Sequence, residues 1–222
     1  MNIFDIMCPI MIGPSSSHTA GAARIGRVAR RLLGVQPVKA HILLHGSFAA
    51  TGQGHGTDKA LVAGLLGLAP DDPRLPDAFA LAKEAGMEVT LGNIDLPGAH
   101  PNTALLSLTG PGGETLDVRG ASLGGARVRV EAIDGLECSF TGDLPTLIIR
   151  HADRPGQLAE EAAILSRHGV NIATMQLYRD MKGGLAVLVI ESDQPIPEDV
   201  VQTLRDLPGI VRLTYLNIRE EG

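Results

Sequence analysis

The final third of the chain carries the pattern that most restricts its fold. Alternating apolar segments and amphipathic segments follow one another at short intervals, separated by Gly and Pro turns. They predict a strand at 146–150, a helix from 155 to 169, strands at 170–178 and 185–191, a helix at 198–207 and a strand at 210–218. This βαββαβ order predicts a ferredoxin-like sandwich, in which two helices cover one face of an antiparallel sheet.

The first 142 residues predict a separate α+β domain. An amphipathic helix at 20–33 precedes a strand at 38–44, and the Gly-rich run at 46–58 predicts a loop that ends at an N-cap, Thr57. Further segments predict helices at 59–68 and 76–85 and strands at 87–91, 104–108, 114–118, 127–133 and 137–140. The pattern changes near residue 143, so we place the boundary between a 1–142 domain and a 143–222 domain.

Charge and hydropathy exclude several classes of partner. The 222 residues carry a net charge of −6 and no dense run of Lys and Arg. Phosphate contacts need clustered cations, so we expect no nucleic acid as a main partner. No apolar stretch reaches the length of a bilayer span and no secretory signal is visible, so we expect a cytoplasmic protein that binds no membrane. The sequence contains neither a Walker loop nor a G-x-G-x-x-G run after a strand, so we do not expect a bound nucleotide.

Two cysteines, Cys8 and Cys138, limit the chemistry that the chain can support alone. They lie far apart in the sequence, and buried free thiols are the simplest interpretation of both. An iron–sulfur cluster or a structural zinc needs three or four Cys or His ligands in a compact set. We therefore expect no metal ligand in this chain, and any cluster must take most of its ligands from another chain.

The segment at 13–19, GPSSSHT, leads from a Gly-Pro turn into the first amphipathic helix. A helix start offers free backbone N–H groups and the positive end of the helix dipole, which favour a bound anion. The hydroxyls add short hydrogen-bonding groups, and an imidazole titrates near neutral pH. The candidate binding residues are Ser15, Ser16, Ser17, His18 and Thr19. An ordinary N-cap serine in a loop is the alternative.

A second histidine lies in the segment at 54–58, GHGTD. The flanking glycines let His55 approach a ligand closely, and an imidazole before a helix suits a general base. Asp58, three positions on, is a candidate to orient the ring. A surface histidine with a helix cap behind it remains an equally open interpretation.

Two weaker segments, HPNT at 100–103 and SLGG at 122–125, complete the candidate site of the first domain. His100 and Asn102 can both point into a cleft, and Pro fixes the backbone between them. A turn explains the first segment as well, and a tight strand connection explains the second.

The second domain has a candidate site for an amino-acid carboxylate. A loop closes on a predicted helix N-terminus at Gly156 and Gln157, and Asn171 with Ile172 begins the following strand. The alternative there is a plain turn with a capping Asn.

The four segments of the first domain, in this order, resemble the beta subunit of the iron–sulfur-dependent L-serine dehydratases (L-serine ammonia-lyases). The second domain resembles an ACT domain, with DRPG at 153–156 and NI at 171–172 as its signature. The resemblance implies a two-chain lyase, in which an alpha subunit carries the cysteines of a 4Fe-4S cluster. In that family one iron binds the hydroxyl and carboxylate of L-serine, a base takes the Cα proton, and the products are pyruvate and ammonia.

The resemblance also implies roles for the candidate residues. His55 is our first choice for the base, His18 binds substrate or assists the base, and Asp58 orients His55. The four hydroxyl residues of the first segment would hold the carboxylate and amine of the substrate or orient the cluster. They are Ser15, Ser16, Ser17 and Thr19. His100 and Asn102 line the cleft. One departure is Ala126, which follows two glycines where family members often carry a third.

For the ACT half, the resemblance implies a regulatory or assembly role. ACT domains commonly pair side by side, so we expect a homodimer through this domain. The expected effector contacts are Gly156, Gln157, Asn171 and Ile172, with L-serine as the simplest effector; pairing without any ligand is equally open. An amino-acid sensor without catalysis is the alternative for the whole chain, and a serine hydrolase is discounted because no triad can be assigned. The sequence leaves open the oligomeric state, assistance by potassium and activity on L-threonine.

Overall fold

The computed structural model describes residues 11–217, and the chain forms two compact units, Met1–Asp134 and Gly135–Gly222. The predicted domain boundary between 142 and 143 falls in the segment that links two strands of the second unit, and it stays a prediction. Between residues 11 and 217, no helix is long and apolar enough to cross a membrane.

The first unit is α+β, as predicted. A π-helical turn, Ser16–Gly21, leads into the first helix, and a short 3-10 turn, Leu75–Asp77, precedes the fourth. The helices are α1 (Ala22–Leu33), α2 (Gly46–His55), α3 (Thr57–Leu65) and α4 (Ala78–Glu84). The strands are β1 (Lys39–Leu44), β2 (Glu88–Asn93), β3 (Thr103–Thr109), β4 (Thr115–Gly124) and β5 (Arg127–Ile133). Their order is β2-β1-β3-β4-β5; β1 and β2 are parallel, and the other neighbours are antiparallel.

Helices α1 and α3 contact each other through two glycines. A Cβ atom placed on Gly64 would lie 2.0 Å from the carbonyl oxygen of Ala23, and one on Gly26 would lie 2.3 Å from the carbonyl oxygen of Leu61. No side chain fits at either position without moving a backbone, so the glycines set the distance between the helices. The contact matters for the candidate site because His18 lies in the turn that leads into α1 and His55 lies two residues before α3.

The Gly-rich run at 46–58 is not a loop, and that prediction was wrong. Residues 46–55 form α2 although Gly and Thr are poor helix formers. Tertiary contacts override the weak propensity, because Phe48 is fully buried and the backbone N–H of Ser47 donates to the carbonyl oxygen of Pro101 at 2.7 Å. Gly56, at φ +68°, ends α2 and precedes α3. Thr57 is therefore the first residue of α3 and not its N-cap.

The second unit confirms the predicted βαββαβ order. After β6 (Leu136–Phe140), its elements are β7 (Thr146–Ala152), α5 (Gln157–Arg167), β8 (Ile172–Arg179), β9 (Leu185–Ser192), α6 (Glu198–Arg205) and β10 (Ile210–Leu216). The four strands β10-β7-β9-β8 form an antiparallel sheet in that order. Alternate side chains of the two central strands pack with apolar residues of both helices; they include Leu147, Ile149, Leu188, Ile190, Leu165 and Leu204. Both helices therefore cover one face of the sheet.

Candidate active site

The structure brings the four predicted segments of the first unit together. The π-helical turn at 16–21, helix α2, the loop before β3 and the end of β4 contact one another through hydrogen bonds that join residues far apart in sequence. The four segments therefore lie together in the fold. That they form one functional site stays a prediction, and so does the role of each residue.

His18 lies at the centre of these contacts. Its Nε2 atom is 3.1 Å from Ser47 Oγ and 3.1 Å from Thr51 Oγ1, and its Nδ1 atom is 3.4 Å from Ser15 Oγ. The edge of the ring meets Phe48, with 5.3 Å between ring centroids. Burial lowers the pKa of His18 below its ordinary value, and the nearby imidazole of His55 lowers it further, while a hydrogen bond that the ring donates to the backbone of Ser47 opposes both effects. The surroundings of the ring thus disfavour its charged form.

His55 is the second imidazole of the site. Its ring centroid lies 5.0 Å from that of His18, at an interplanar angle of 48°. Its carbonyl oxygen accepts a hydrogen bond from Thr19 Oγ1 at 3.1 Å, which ties the end of α2 to the Ser-rich turn. The Nδ1 atom of His55 is buried and has no hydrogen-bond partner among the described residues. A buried polar atom without a partner is unusual in a folded protein and marks this ring as a candidate for binding or proton transfer.

The Ser-rich turn is fixed by its own first residue and by β4. Ser15 is the N-cap, since its Oγ accepts the backbone N–H of His18 at 3.0 Å, as the simpler alternative proposed. Ser122 Oγ donates to the carbonyl oxygen of Ser17 at 2.9 Å. The side chains of Ser16 and Ser17 are half-buried beside these anchored groups. The N-terminal end of the turn thus combines hydroxyls with helix N–H groups, an arrangement suited to a carboxylate.

The loop at 100–102 closes the site on another side. The backbone N–H of Asn102 donates to His100 Nδ1 at 3.1 Å, so only Nε2 of that ring remains for a ligand. Asn102 Nδ2 donates to the carbonyl oxygen of Ser122 at 3.4 Å, and the backbone N–H of Ser122 donates back to the carbonyl oxygen of Asn102 at 2.9 Å. These bonds join the third and fourth segments, and Pro101 joins them to α2.

Ser122 bears on the serine hydrolase alternative. Residues 120–124, GASLG, match the G-x-S-x-G pattern of hydrolases, which sequence reasoning missed. Ser122 lies within β4 and is fully buried, and β4 is followed by β5 and not by a helix. A nucleophile elbow needs an exposed serine between a strand and a helix, so the serine hydrolase alternative has no structural support.

Asp58 makes no hydrogen bond to the His55 ring among the described residues. Its Oδ1 atom accepts the backbone N–H of Lys59 at 2.8 Å. Asp58 instead lines a cleft of about 430 Å³ beside α2, together with Thr51, Gln53 and Asn93. Its orienting role stays a prediction without a hydrogen bond to support it. A second cleft, of about 410 Å³, lies across β1, β3 and β4 and contains none of the predicted site residues.

Sequence reasoning missed Ser47 and Thr51, the two hydroxyls that contact His18. They lie four residues apart, so they share one face of a helix. That spacing carries information only if the segment is helical, and the loop interpretation of the Gly-rich run concealed it. The four-residue spacing of the two hydroxyls was therefore present in the sequence, but it could be interpreted only with the correct, helical prediction for this segment.

Ala126 occupies the position where a third glycine was expected, and its φ is +58°. Its carbonyl oxygen accepts a hydrogen bond from Arg24 Nη1 at 3.4 Å, so the turn is tied to α1. A left-handed backbone favours glycine, because a Cβ atom meets the following carbonyl oxygen there. The local backbone thus keeps a conformation typical of glycine although the residue is alanine.

The four expected effector contacts do not meet within one copy of the second unit. Ile172 pairs with Ser192 at one end of β9, whereas Ala152, the strand residue that precedes Gly156, pairs with Leu185 at the other end. The 11 residues of α5 separate the two ends by about 16 Å. Asn171 Nδ2 donates to a carboxylate oxygen of Asp193. A site that uses all four contacts needs two copies of the domain.

Gln157 is buried and has a structural partner on each side. Its Oε1 accepts from Arg154 Nε at 2.7 Å, and its Nε2 donates to Glu161 Oε1 at 3.0 Å. Glu161 in turn lies 3.1 Å from His151 Nδ1, with both side chains almost fully buried. The side chain of Gln157 is therefore committed to this polar cluster in the domain core.

The described residues do not fit the role of cluster ligands. Between residues 11 and 217, no group of three or more His, Cys, Asp or Glu side chains could hold a metal ion. Cys138 is buried as a free thiol, and Cys8 lies outside the described residues. That a 4Fe-4S cluster takes its ligands from another chain stays a prediction.

Comparison with known proteins agrees with this geometry. The model of the family "Serine dehydratase beta chain" matches residues 2–100, and that of the family "ACT domain" matches residues 145–209. The chain is 40% identical to the probable L-serine dehydratase, beta chain, of Bacillus subtilis over 215 residues, which is 97% of each chain. It is 34% identical to the L-serine dehydratase, beta chain, of Peptoniphilus asaccharolyticus, again over 97% of each. The protein belongs to the serine dehydratase beta chain family and carries a C-terminal ACT domain.

A more distant likeness reaches another class of enzyme. The chain is 28% identical over 168 residues to the D-3-phosphoglycerate dehydrogenase of Bacillus subtilis, which is 72% of this chain and 30% of that protein.

Proposed function

We propose that this chain is the beta subunit of a 4Fe-4S-dependent L-serine ammonia-lyase, which converts L-serine to pyruvate and ammonia together with an alpha subunit that carries the cluster cysteines. The observation that supports it best is the convergence of the four segments on two imidazoles whose centroids lie 5.0 Å apart. The relatives named L-serine dehydratase, beta chain, cover nearly the whole length of this chain.

The residues of this chain can recognise the substrate and move its protons. The N–H groups and hydroxyls of the turn at 15–19 would bind the carboxylate of L-serine. His55, with its unpartnered ring nitrogen, remains our first choice for the base that takes the Cα proton. His18, whose charged form is disfavoured by burial, would bind the substrate or accept a second proton. Loss of the Cα proton and the hydroxyl gives aminoacrylate, which tautomerises and hydrolyses to pyruvate and ammonia.

A second candidate function is an amino-acid-binding regulatory module without catalysis. The likeness to D-3-phosphoglycerate dehydrogenase favours it, because it covers 72% of this chain and only 30% of that enzyme. A module that only binds an amino acid has no need of a base, so the effect of removing each imidazole discriminates between the two functions.

The test is pyruvate release from L-serine under anaerobic conditions by this chain co-purified with its partner. We expect activity that needs both chains and that falls by at least a hundredfold in His55→Ala. His41→Ala is the matched control, since His41 is an exposed histidine of β1 that bonds Thr90. Full activity in His55→Ala would move the base to His18 or to the partner. No pyruvate from an intact, cluster-loaded pair would favour the regulatory module.

For the ACT domain, we propose pairing into a homodimer whose shared edge binds L-serine. The separation of Gly156 from Asn171 within one copy is consistent with a site built from two copies. Asn171→Ala should weaken L-serine binding in calorimetry without unfolding the domain, because Asn171 is exposed. Unchanged binding in that variant would contradict the site as placed, and a wild-type dimer that binds no amino acid would leave pairing as the only role.

A further inference from the structure

The two ring nitrogens of His18 have unequal neighbours. Two hydroxyl oxygens, Ser47 Oγ and Thr51 Oγ1, each lie 3.1 Å from Nε2, whereas the single oxygen near Nδ1, Ser15 Oγ, is 3.4 Å away. In a neutral imidazole one nitrogen carries a proton and the other a lone pair. The catalytic use of the ring depends on which nitrogen carries the lone pair, and the hydroxyl protons decide that question.

The hydroxyl of Thr51 has one proton, and it donates that proton to the carbonyl oxygen of Ser47 at 2.9 Å. Toward His18 it therefore presents a lone pair. The Ser47 hydroxyl, 3.4 Å from Thr51 Oγ1, can donate to that oxygen while its own lone pairs face the ring. On the opposite side, Ser15 Oγ already accepts the backbone N–H of His18 at 3.0 Å, which leaves its proton available for Nδ1.

We infer that Ser47 and Thr51 are positioning residues that hold the proton of neutral His18 on Nε2 and leave Nδ1, facing Ser15, as the atom that accepts a proton. One turn of α2 separates the two hydroxyls, so the helix fixes their spacing. Contacts with Phe48 and the His55 ring restrict the ring further. Burial, which lowers the pKa of His18, favours the neutral form of the ring.

The inference rests on the proposed function for its catalytic meaning. A lone pair on Nδ1 can accept a proton from a substrate group bound at the Ser-rich turn, directly or through the Ser15 hydroxyl. A ring with its proton on Nδ1 would present an N–H group to the same place and could not accept one. The hydroxyls of α2 would thus set the direction in which His18 moves a proton.

The first test is the tautomer itself, measured by long-range proton–nitrogen NMR on the ¹⁵N-labelled full chain at a pH above the pKa of His18. His18→Gln identifies the signals. We expect the wild-type ring to carry its proton on Nε2, Thr51→Val to populate the Nδ1 form, and Thr51→Ser to restore the wild-type state. Thr90→Val is the matched control, because Thr90 Oγ1 lies 2.7 Å from Nδ1 of His41, outside the site. Circular dichroism verifies folding, and Ser47→Ala is the second variant.

The second test is kinetic and uses the complex with the partner subunit. We expect Thr51→Val to lower kcat about tenfold with little change in KM for L-serine, Thr51→Ser to recover most of it, and Thr90→Val to match the wild type. A wild-type ring with its proton on Nδ1 overturns the inference, and so does an unchanged tautomer in both Thr51→Val and Ser47→Ala. The expected tautomers in a complex that makes no pyruvate would support the positioning role and contradict the proposed function.

Discussion

Replacing Gly64 by alanine should force α1 and α3 apart. The new Cβ would lie 2.0 Å from the Ala23 carbonyl oxygen, 2.8 Å from the Arg27 nitrogen and 2.9 Å from the Cα of Gly26. All three are backbone atoms of α1, so no side-chain rotation relieves the contact. Since ordinary contact needs about 3.4 Å, the helices must separate by more than about 1 Å over a region where their side chains are fully packed.

The expected effect is the difference between two opposing terms. Overpacking a core costs about 1–3 kcal/mol, and rigid backbone places this site at the upper end. Alanine favours a helix over glycine by about 1 kcal/mol. We therefore expect Gly64→Ala to lower the free energy of unfolding of the first unit by about 2 kcal/mol. For a unit of 134 residues, this corresponds to a fall of roughly 7 °C in Tm.

The assay is urea unfolding followed by far-ultraviolet circular dichroism, with hydrogen exchange of the α1 and α3 peptides to locate the change. Both tyrosines, Tyr178 and Tyr215, lie in the second unit, so their fluorescence reports independently on that unit. Gly54→Ala is the matched control, because Gly54 is also helical but a Cβ there has open space around it, and it should raise stability slightly. A Gly64→Ala protein as stable as the wild type would refute the close contact between the helices.

Three further predictions concern single groups. Ala126→Gly should raise the unfolding free energy by less than about 1 kcal/mol, because glycine relieves the left-handed strain but loses more chain entropy; the urea midpoint measures it. The pKa of His18 in the folded protein lies below the ordinary 6.5, so the unfolded chain binds the proton more readily. The free energy of unfolding should therefore be highest above pH 6.5 and should fall as the pH drops through the pKa of the folded state. His18→Gln should flatten this pH profile. Glu161→Gln should lower the free energy of unfolding by about 1–3 kcal/mol in thermal unfolding, because it replaces a buried carboxylate that accepts from Gln157 and lies 3.1 Å from His151 Nδ1, and adding His151→Phe should recover part of that loss.

The secondary structure of the second unit was predictable because its local patterns are strong. Strand β9 contains a short continuous apolar run, residues 186–190, that is buried throughout, and the apolar stripes of α5 and α6 face one core, so each segment signals its own state. Helix α1 was predictable for the same reason, with Gly34 at its end. In each of these cases the residues that decide the structure lie within the segment itself.

Helix α2 was not predictable in this way. Its glycines and hydroxyl residues have little helix propensity and no apolar stripe, so the local signal favoured a loop. Burial of Phe48 and the hydrogen bonds to Pro101 stabilise the helix, and both come from distant parts of the chain. The missed residues Ser47 and Thr51 follow directly from that error.

The sequence by itself determined the element order apart from α2, the two α+β halves and the residue types that gather at the candidate site. Only the tertiary structure decided which of those residues touch. Thr51 contacts His18 across 33 positions and Ser122 contacts Ser17 across 105. Asp58, only three residues from His55, instead accepts the backbone N–H of Lys59. Local periodicity indicates which face of a segment is buried. Which segment packs against that face depends on how the whole chain folds, because the hydrophobic effect is non-directional and favours burial without selecting a particular partner.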